Sequence, residues 1–292
     1  MVACNRFGND YLSILMKNLW KNLDSHLLFV RYSFIMSVTR LKEAAKVGEL
    51  IAILSGKGGT GKTSVCAALA TALAADGKRV LCIDCDVGLR NLDIALAMSD
   101  CGTLSFLDVY RGDYSLAQAS EHPNYPGLFF LTAPTHCNPE SIDRDAFGEF
   151  LWDAKREFDF ILLDAPAGVD AGFQLTASFA DRCVLVTGPG PASVRDVSRV
   201  GELLELMGKQ NVRLIVNRVS SRMAGAMETT VDDVMDTTGL PLLGVVPEDP
   251  NVTLAATHNR PLLIYSCRGA AAMACTRISK RLQGLPVPIS LR

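Results

Sequence analysis

The 292-residue sequence has no run of 18 or more uncharged apolar residues, so no segment predicts a membrane-spanning helix. Neither sign of charge is in excess, because 29 basic and 31 acidic residues give a net charge of −2, which does not indicate an obligatory nucleic-acid partner. The 4 histidines lack the spacing of a zinc site. The 9 cysteines are odd in number and scattered, which disfavours a disulfide framework and is typical of a reducing cytosol.

The composition is that of a folded chain, with 49% hydrophobic and 21% charged residues. Charge is uneven along it, since residues 1–48 carry +4 and the remainder carries −6. Leucines at positions 12, 15, 19, 23 and 27 recur at helical spacing. Three interpretations of residues 1–35 stay open: a basic amphipathic helix on a membrane surface, a helix packed on the domain, or an extension upstream of a true start at Met36.

From Leu50 onward, short apolar runs alternate with longer helix-like segments. Strands are predicted at 50–55, 79–84, 127–132, 158–164, 182–188, 211–217 and 241–246, and helices at 62–76, 103–110, 142–157, 171–179, 191–208, 226–237 and 268–283. Several strands are apolar at successive residues, which suits burial on both faces of a parallel sheet. The alternation predicts one α/β domain, a doubly wound and mostly parallel sheet with helices on both faces.

A glycine-rich loop over residues 56–63 follows the first predicted strand and fits two motifs. As G-x-G-x-x-G, with Asp84 ending the second strand, it fits a dinucleotide site. As G-x-x-x-x-G-K-[ST], it fits the phosphate loop of nucleoside triphosphatases. Lys62 and Thr63 favour the second motif, because β- and γ-phosphates with their magnesium need both side chains, whereas a dinucleotide needs neither.

The loop predicts a cradle of backbone N–H groups for phosphates, at the positive end of a helix beginning near Lys62. Its nucleotide-binding residues are Gly56, Lys57, Gly58, Gly59, Thr60, Gly61, Lys62, Thr63 and Ser64. Lys62 can reach the β- and γ-phosphates, and the Thr63 hydroxyl can bind Mg²⁺. A carboxylate for the metal's water shell is predicted at Asp164, which ends an apolar strand.

The loop contains a second lysine, Lys57, and reads K-G-G-T-G-K-T. In this it resembles the deviant phosphate loop of the MinD/ParA class of ATPases. Other segments resemble MinD members of that class: the switch segments at 84–93 and 164–169, the helix start at 193–196 and the turn at 244–249. The similarity runs from about Met36 to near the C-terminus. It implies a P-loop triphosphatase domain over 36–292, with residues 1–35 as a basic extension.

The resemblance also implies roles for particular residues. Lys57 would reach across an ATP-bound homodimer to the partner's phosphates, much as an arginine finger does. Asp86 would position the attacking water, which makes Lys57, Lys62 and Asp86 the candidate catalytic set. Asp84 would join Thr63 and Asp164 around Mg²⁺.

The same resemblance implies which residues contact the adenine base and which contact partner proteins. Asn217 would hydrogen-bond the adenine edge, with Pro247 and Asp249 lining the pocket. Helix 191–208, with Arg195 and Asp196, would contact division-inhibitor and activator proteins of the Min type. The implied function is ATP-dependent control of septum placement by a cytoplasmic protein that contacts the inner face of the cell membrane peripherally. Pro286 and Pro288 prevent a C-terminal targeting helix, so this contact would depend on the basic N-terminal segment.

Three alternatives remain open at this point. A ParA-like partitioning ATPase would bind DNA, against which the −6 charge of residues 49–292 argues mildly. A flagellar-number ATPase of the class would share the ATP-site residues, and a soluble scaffold would keep the pocket without turnover. Cys82 and Cys85 have metal-site spacing but no second C-x-x-C accompanies them, so they are interpreted as packing residues.

Overall fold

The computed structural model describes residues 47–87, 89–220 and 231–289. The predictions for residues 1–35, for a start at Met36 and for helix residues 226–230 lie outside that part of the chain. The strands are β1 (Glu49–Leu54), β2 (Val80–Asp84), β3 (Ser120–Glu121), β4 (Leu128–Leu131), β5 (Phe160–Asp164), β6 (Arg182–Thr187), β7 (Val212–Val219) and β8 (Leu242–Pro247). All seven predicted strands are confirmed, and the short β3 was not predicted.

The helices in the described residues are α1 (Lys62–Ala75), α2 (Leu92–Leu96), α3 (Phe106–Tyr110), α4 (Arg144–Glu157), α5 (Ala171–Phe179), α6 (Pro191–Leu206), α7 (Val231–Thr238), α8 (Asn251–Thr257), α9 (Leu262–Tyr265) and α10 (Ala270–Leu282). Two 3₁₀ turns lie at Leu116–Gln118 and Pro139–Ser141. Helices α2, α8 and α9 were not predicted, because each is too short to show two turns of periodicity. No helix in the described residues is long and apolar enough to cross a bilayer.

The eight strands form one sheet in the order β3-β4-β2-β5-β1-β6-β7-β8. Every pairing is parallel except that of β3 with β4. The sheet separates two hydrophobic cores. One contains the apolar sides of α3 to α7, and the other those of α1, α2 and α8 to α10. The predicted doubly wound fold is therefore confirmed, and β1 lies centrally between β5 and β6.

Helix α1 packs closely on the sheet because its side chains are small. Six of its fourteen residues are alanine, and eleven are buried. Helix α1 begins directly after the loop that follows β1, so its N-terminus lies over the carboxyl edge of the sheet. Ligands of open α/β sheets bind at this edge, where crossovers diverge to opposite sides of a strand.

Candidate functional site

The loop between β1 and α1 has the conformation that phosphate binding requires. Gly59 and Gly61 have φ values of +80° and +87°, which are favourable for glycine alone. A β-carbon on Gly61 would overlap the side-chain amide of Asn217, and no side chain caps the N-terminus of α1. The free N–H groups of the first helical turn therefore face the loop.

Lys62, the first residue of α1, is buried at this loop with only 6% of its side chain exposed. Its Nζ donates a hydrogen bond of 2.7 Å to Oδ1 of Asp164, whose side chain is 1% exposed. Burial alone would lower the pKa of Lys62, but its Coulombic attraction to Asp164 and the hydrogen bond that it donates to Asp164 outweigh burial, so the pKa is raised. The structure thus joins two residues predicted separately for the site.

Asp164 and Asp84 end adjacent parallel strands and face each other in register. Burial followed by the charge of Asp164 raises the pKa of Asp84 to about 7. Burial also raises the pKa of Asp164, which the ion pair with Lys62 and hydrogen bonds from Lys62 and Thr63 partly offset. Two close carboxylates with one ammonium leave an excess of negative charge that a cation would relieve.

Asp86 follows β2 in the segment predicted as the first switch. Its backbone N–H donates to Oδ1 of Asp84 at 2.9 Å, and Oδ2 of Asp84 accepts from the N–H of Leu92 at 3.2 Å. Burial raises the pKa of Asp86, while Lys62 opposes the shift. Asp84 therefore anchors both ends of the loop that carries Asp86. A change in the charge of Asp84 would weaken or strengthen both hydrogen bonds and so alter the position of that loop.

The donor set at this edge fits a magnesium ion. Thr63 contributes a hydroxyl, and Asp84 and Asp164 contribute carboxylates, all hard oxygen donors of the kind Mg²⁺ prefers. Within the described residues, no three His, Cys, Asp or Glu side chains gather into a cage that could hold a metal by themselves. A site with few protein ligands suits Mg²⁺, which usually retains waters and binds substrate phosphates.

Two adjoining cavities occupy the carboxyl edge of the sheet. The smaller, about 310 Å³, is lined by loop residues Lys57 to Ser64 and by Asp86, and the larger, about 640 Å³, by Asn217, Pro247 and Asp249. The predicted nucleotide-binding residues other than Gly56 line one cavity or the other. Together the cavities offer one end lined by the glycine-rich loop with Lys57 and Lys62, which can contact phosphates, and a half-apolar end for a base.

Asn217 and Asp249 also have structural roles within the larger cavity. The Asn217 side chain is buried, and its Nδ2 donates a 2.8 Å hydrogen bond to the carbonyl of Thr60, which ties β7 to the phosphate loop. Oδ1 of Asp249 accepts from the backbone and side chain of Asn251, and Oδ2 accepts from the N–H of Ala271. Asp249 therefore orients α8 and α10, which form the wall of the cavity.

Lys57 lies at the rim of the smaller cavity and contacts the predicted partner helix. Its Nζ is 3.5 Å from Oδ2 of Asp196 on α6, with 41% and 35% of the two side chains exposed. A β-carbon on Gly56 would come within 2.8 Å of Asp196, so glycine at 56 permits the close approach of loop and helix. Arg195 is exposed beside this contact. Sequence reasoning predicted all these residues but not that they meet within one chain.

Arg218 is a site residue that sequence reasoning missed. It lines both cavities, and its backbone has a φ of +58°. Its only sequence signal is its place directly after Asn217, at the carboxyl end of a strand. Cys82 and Cys85, by contrast, lie in different hydrophobic cores on opposite faces of the sheet, which fits their interpretation as packing residues.

Comparison with known proteins agrees with this geometry. A profile described as the CobQ/CobB/MinD/ParA nucleotide binding domain matches residues 51–262. The chain belongs to this family. It is similar to the septum site-determining protein MinD of Synechocystis sp., at 33% identity over 83% of this chain and 92% of that protein. MinD of Bacillus subtilis is also 33% identical, over 84% of this chain and 92% of that protein.

Solved structures of MinD share the fold. The MinC:MinD cell division complex of Aquifex aeolicus superposes with a TM-score of 0.77 at 34% identity, covering 83% of this chain and 98% of that one. MinD of Pyrococcus horikoshii complexed with Mg-ADP superposes with a TM-score of 0.70 at 29% identity, covering 80% and 96%. This MinD family member is thus a nucleotide-binding ATPase of the septum site-determining type.

Proposed function

We propose that the protein is an ATP-driven dimerisation switch that helps to place the cell-division septum. The observation that carries the proposal is the contact between Lys57 and Asp196, because it connects the phosphate loop to the surface of α6 through two partly exposed side chains. An exposed lysine can exchange one anion for another at little cost, since such ion pairs contribute about 0–1 kcal/mol. Lys57 can therefore leave Asp196 for the phosphates of a second copy.

In the proposed reaction, the N–H groups of the loop and Lys62 hold the β- and γ-phosphates, and Lys57 of a second copy adds positive charge as the γ-phosphoryl group leaves. Asp86 orients the attacking water. Thr63, Asp84 and Asp164 would hold Mg²⁺, which neutralises phosphate charge when bound. Asn217 and Pro247 hold the adenine, and hydrolysis removes the contacts that order the switch segments.

We assign partner binding to α6, on which Arg195 is exposed and Asp196 partly exposed, because a nucleotide that draws Lys57 away from Asp196 would change that surface. The solved complex of MinD with MinC in Aquifex aeolicus supports a partner of the Min type. Recruitment to the inner face of the cell membrane belongs to the same proposal, with ATP-dependent dimerisation as its trigger. We propose the basic extension over 1–35 as the membrane anchor.

Sedimentation velocity, ATPase assays and pelleting with anionic vesicles test the proposal on the full chain. We expect dimers and vesicle binding with ATP but not with ADP. Lys57→Ala should abolish dimers and turnover, while the control Lys78→Ala, at the amino ends of the strands, should behave as the parent. Monomers in both nucleotides would refute the switch, and ATP-dependent DNA binding would indicate a partitioning protein. Dimers without turnover would indicate a soluble scaffold, and dimers with turnover but without pelleting would refute the membrane step.

A further inference from the structure

Arg218 occupies an irregular position near the end of β7. Asn217 pairs with Val246 of β8 and Val219 pairs with Pro247, so Arg218 is an extra residue between two consecutive pairs, a β-bulge. Its φ of +58° is in the left-handed region, which costs a residue with a β-carbon about 1 kcal/mol or more. Such strain persists where the fold determines it and is frequent at functional sites.

The bulge changes where the arginine can reach. In a regular strand, Asn217 and Arg218 would point to opposite faces of the sheet. Here Asn217 lines the larger cavity, while Arg218 lines both cavities, and its Nε lies 3.8 Å from where a β-carbon on Gly61 would be. Gly61, Ser64 and Arg218 line both cavities, so Arg218 lies at the boundary between them.

Arg218 also differs from the other cations of the site. Lys62 is paired with Asp164 and Lys57 with Asp196. The side chain of Arg218 is exposed and has no ion pair or hydrogen bond with any residue in 47–87, 89–220 or 231–289. A guanidinium in this state offers five N–H donors to an incoming anion, in a planar arrangement that matches a phosphate.

We propose that Arg218 is a nucleotide-binding residue whose guanidinium pairs with the α-phosphate. This inference rests on the proposed ATP site. If the larger cavity holds adenosine and the loop holds the β- and γ-phosphates, the phosphate attached to the sugar crosses the boundary that Arg218 lines. The bulge is then the feature that lets one strand end contribute both the adenine contact of Asn217 and the phosphate contact of Arg218.

Calorimetric titration of the full chain with adenosine, ADP and ATP tests the assignment. Arg218→Met retains the apolar stem and removes the charge, so we expect about 10- to 100-fold weaker binding of ADP and ATP alike, the effect of losing a charged hydrogen bond. Adenosine affinity should not change. A loss for ATP alone would place the guanidinium at the γ-phosphate, an equal loss for adenosine would indicate stacking on the base, and either result overturns the proposal.

Arg218→Gly separates a binding role from a structural one. Glycine relieves the left-handed backbone, so the melting temperature should stay constant or rise while ADP affinity falls. Ala97→Gly is the matched control, because Ala97 has a φ of +57° and lines neither cavity. It should change stability in the same direction and leave ADP affinity unchanged. Undiminished ADP binding by both Arg218 variants would overturn the inference, whereas failure of the unmodified protein to bind ADP would refute the proposed ATP site.

Discussion

In the absence of nucleotide, the stability of the fold depends on Lys62, a residue proposed for catalysis, because Lys62 forms a buried ion pair with Asp164. Replacing Lys62 with Met removes the ammonium and leaves the buried carboxylate without its charged partner. At 2.7 Å and an effective dielectric constant of about 20, the direct attraction is about 6 kcal/mol. Two effects offset part of this attraction: the variant no longer has to desolvate a buried ammonium, and Asp164 can bind a proton. We therefore expect a loss of about 3–5 kcal/mol in unfolding free energy.

Urea unfolding in EDTA, without nucleotide, measures this loss. The loss should shrink as pH falls, because the Asp164 carboxyl of the variant has a raised pKa and the folded state then binds a proton more readily than the unfolded state. The double variant with Asp164→Asn should be more stable than the sum of the single effects predicts, with a coupling of about 2 kcal/mol or more. Additive effects, or a Lys62→Met loss below about 1 kcal/mol, would refute the reasoning.

Three further predictions follow from local geometry. Gly61→Ala should reduce ADP affinity and lower stability, because the new β-carbon would overlap Asn217. Gly58→Ala, with open space around it, should leave thermal stability unchanged. Equal melting temperatures for the two variants would contradict this prediction. Asp86→Asn should lower kcat with little change in ATP affinity, measured in parallel by turnover and titration; unchanged kcat would exclude the water-positioning role. Burial lowers the pKa of His122, whose Nε2 lies 2.8 Å from the carbonyl oxygen of Leu96. The free energy of unfolding should therefore fall as pH drops below about 6.5, because the unfolded state then binds a proton at this position more readily than the folded state. Melting temperatures measured at a series of pH values should depend less on pH in this range for His122→Gln.

Much of the fold follows from sequence because its strands are buried on both faces and its helices are long enough to show a period. Strand ends were placed within two residues at every predicted strand, as at Phe160 and Val219. Short elements were missed. Helix α2 is five residues long and is held by Asp84 through the N–H of Leu92, a contact between segments that no local pattern contains.

The residues of the candidate site likewise fall into those that could be predicted from sequence and those that could not. The loop and the carboxylates at strand ends carry motifs, so Lys62, Asp84 and Asp164 could be predicted to lie together at the carboxyl edge of the sheet. The pairing of Lys57 with Asp196 depends on how closely the loop approaches α6, which spacing along the chain does not encode. The strained backbone of Arg218 depends on a register shift between β7 and β8, and an arginine after an asparagine gives no sign of it.

The in-register placement of Asp84 beside Asp164 has a consequence for how this chain can change in length. Side chains alternate between the two faces of a strand, so inserting or deleting one residue within β2 or β5 would move a carboxylate to the opposite face. Connections at the amino ends of the strands, such as that from α1 to β2, carry no such constraint. Length variation among relatives should therefore concentrate at that end, leaving the nucleotide end with nearly fixed spacing.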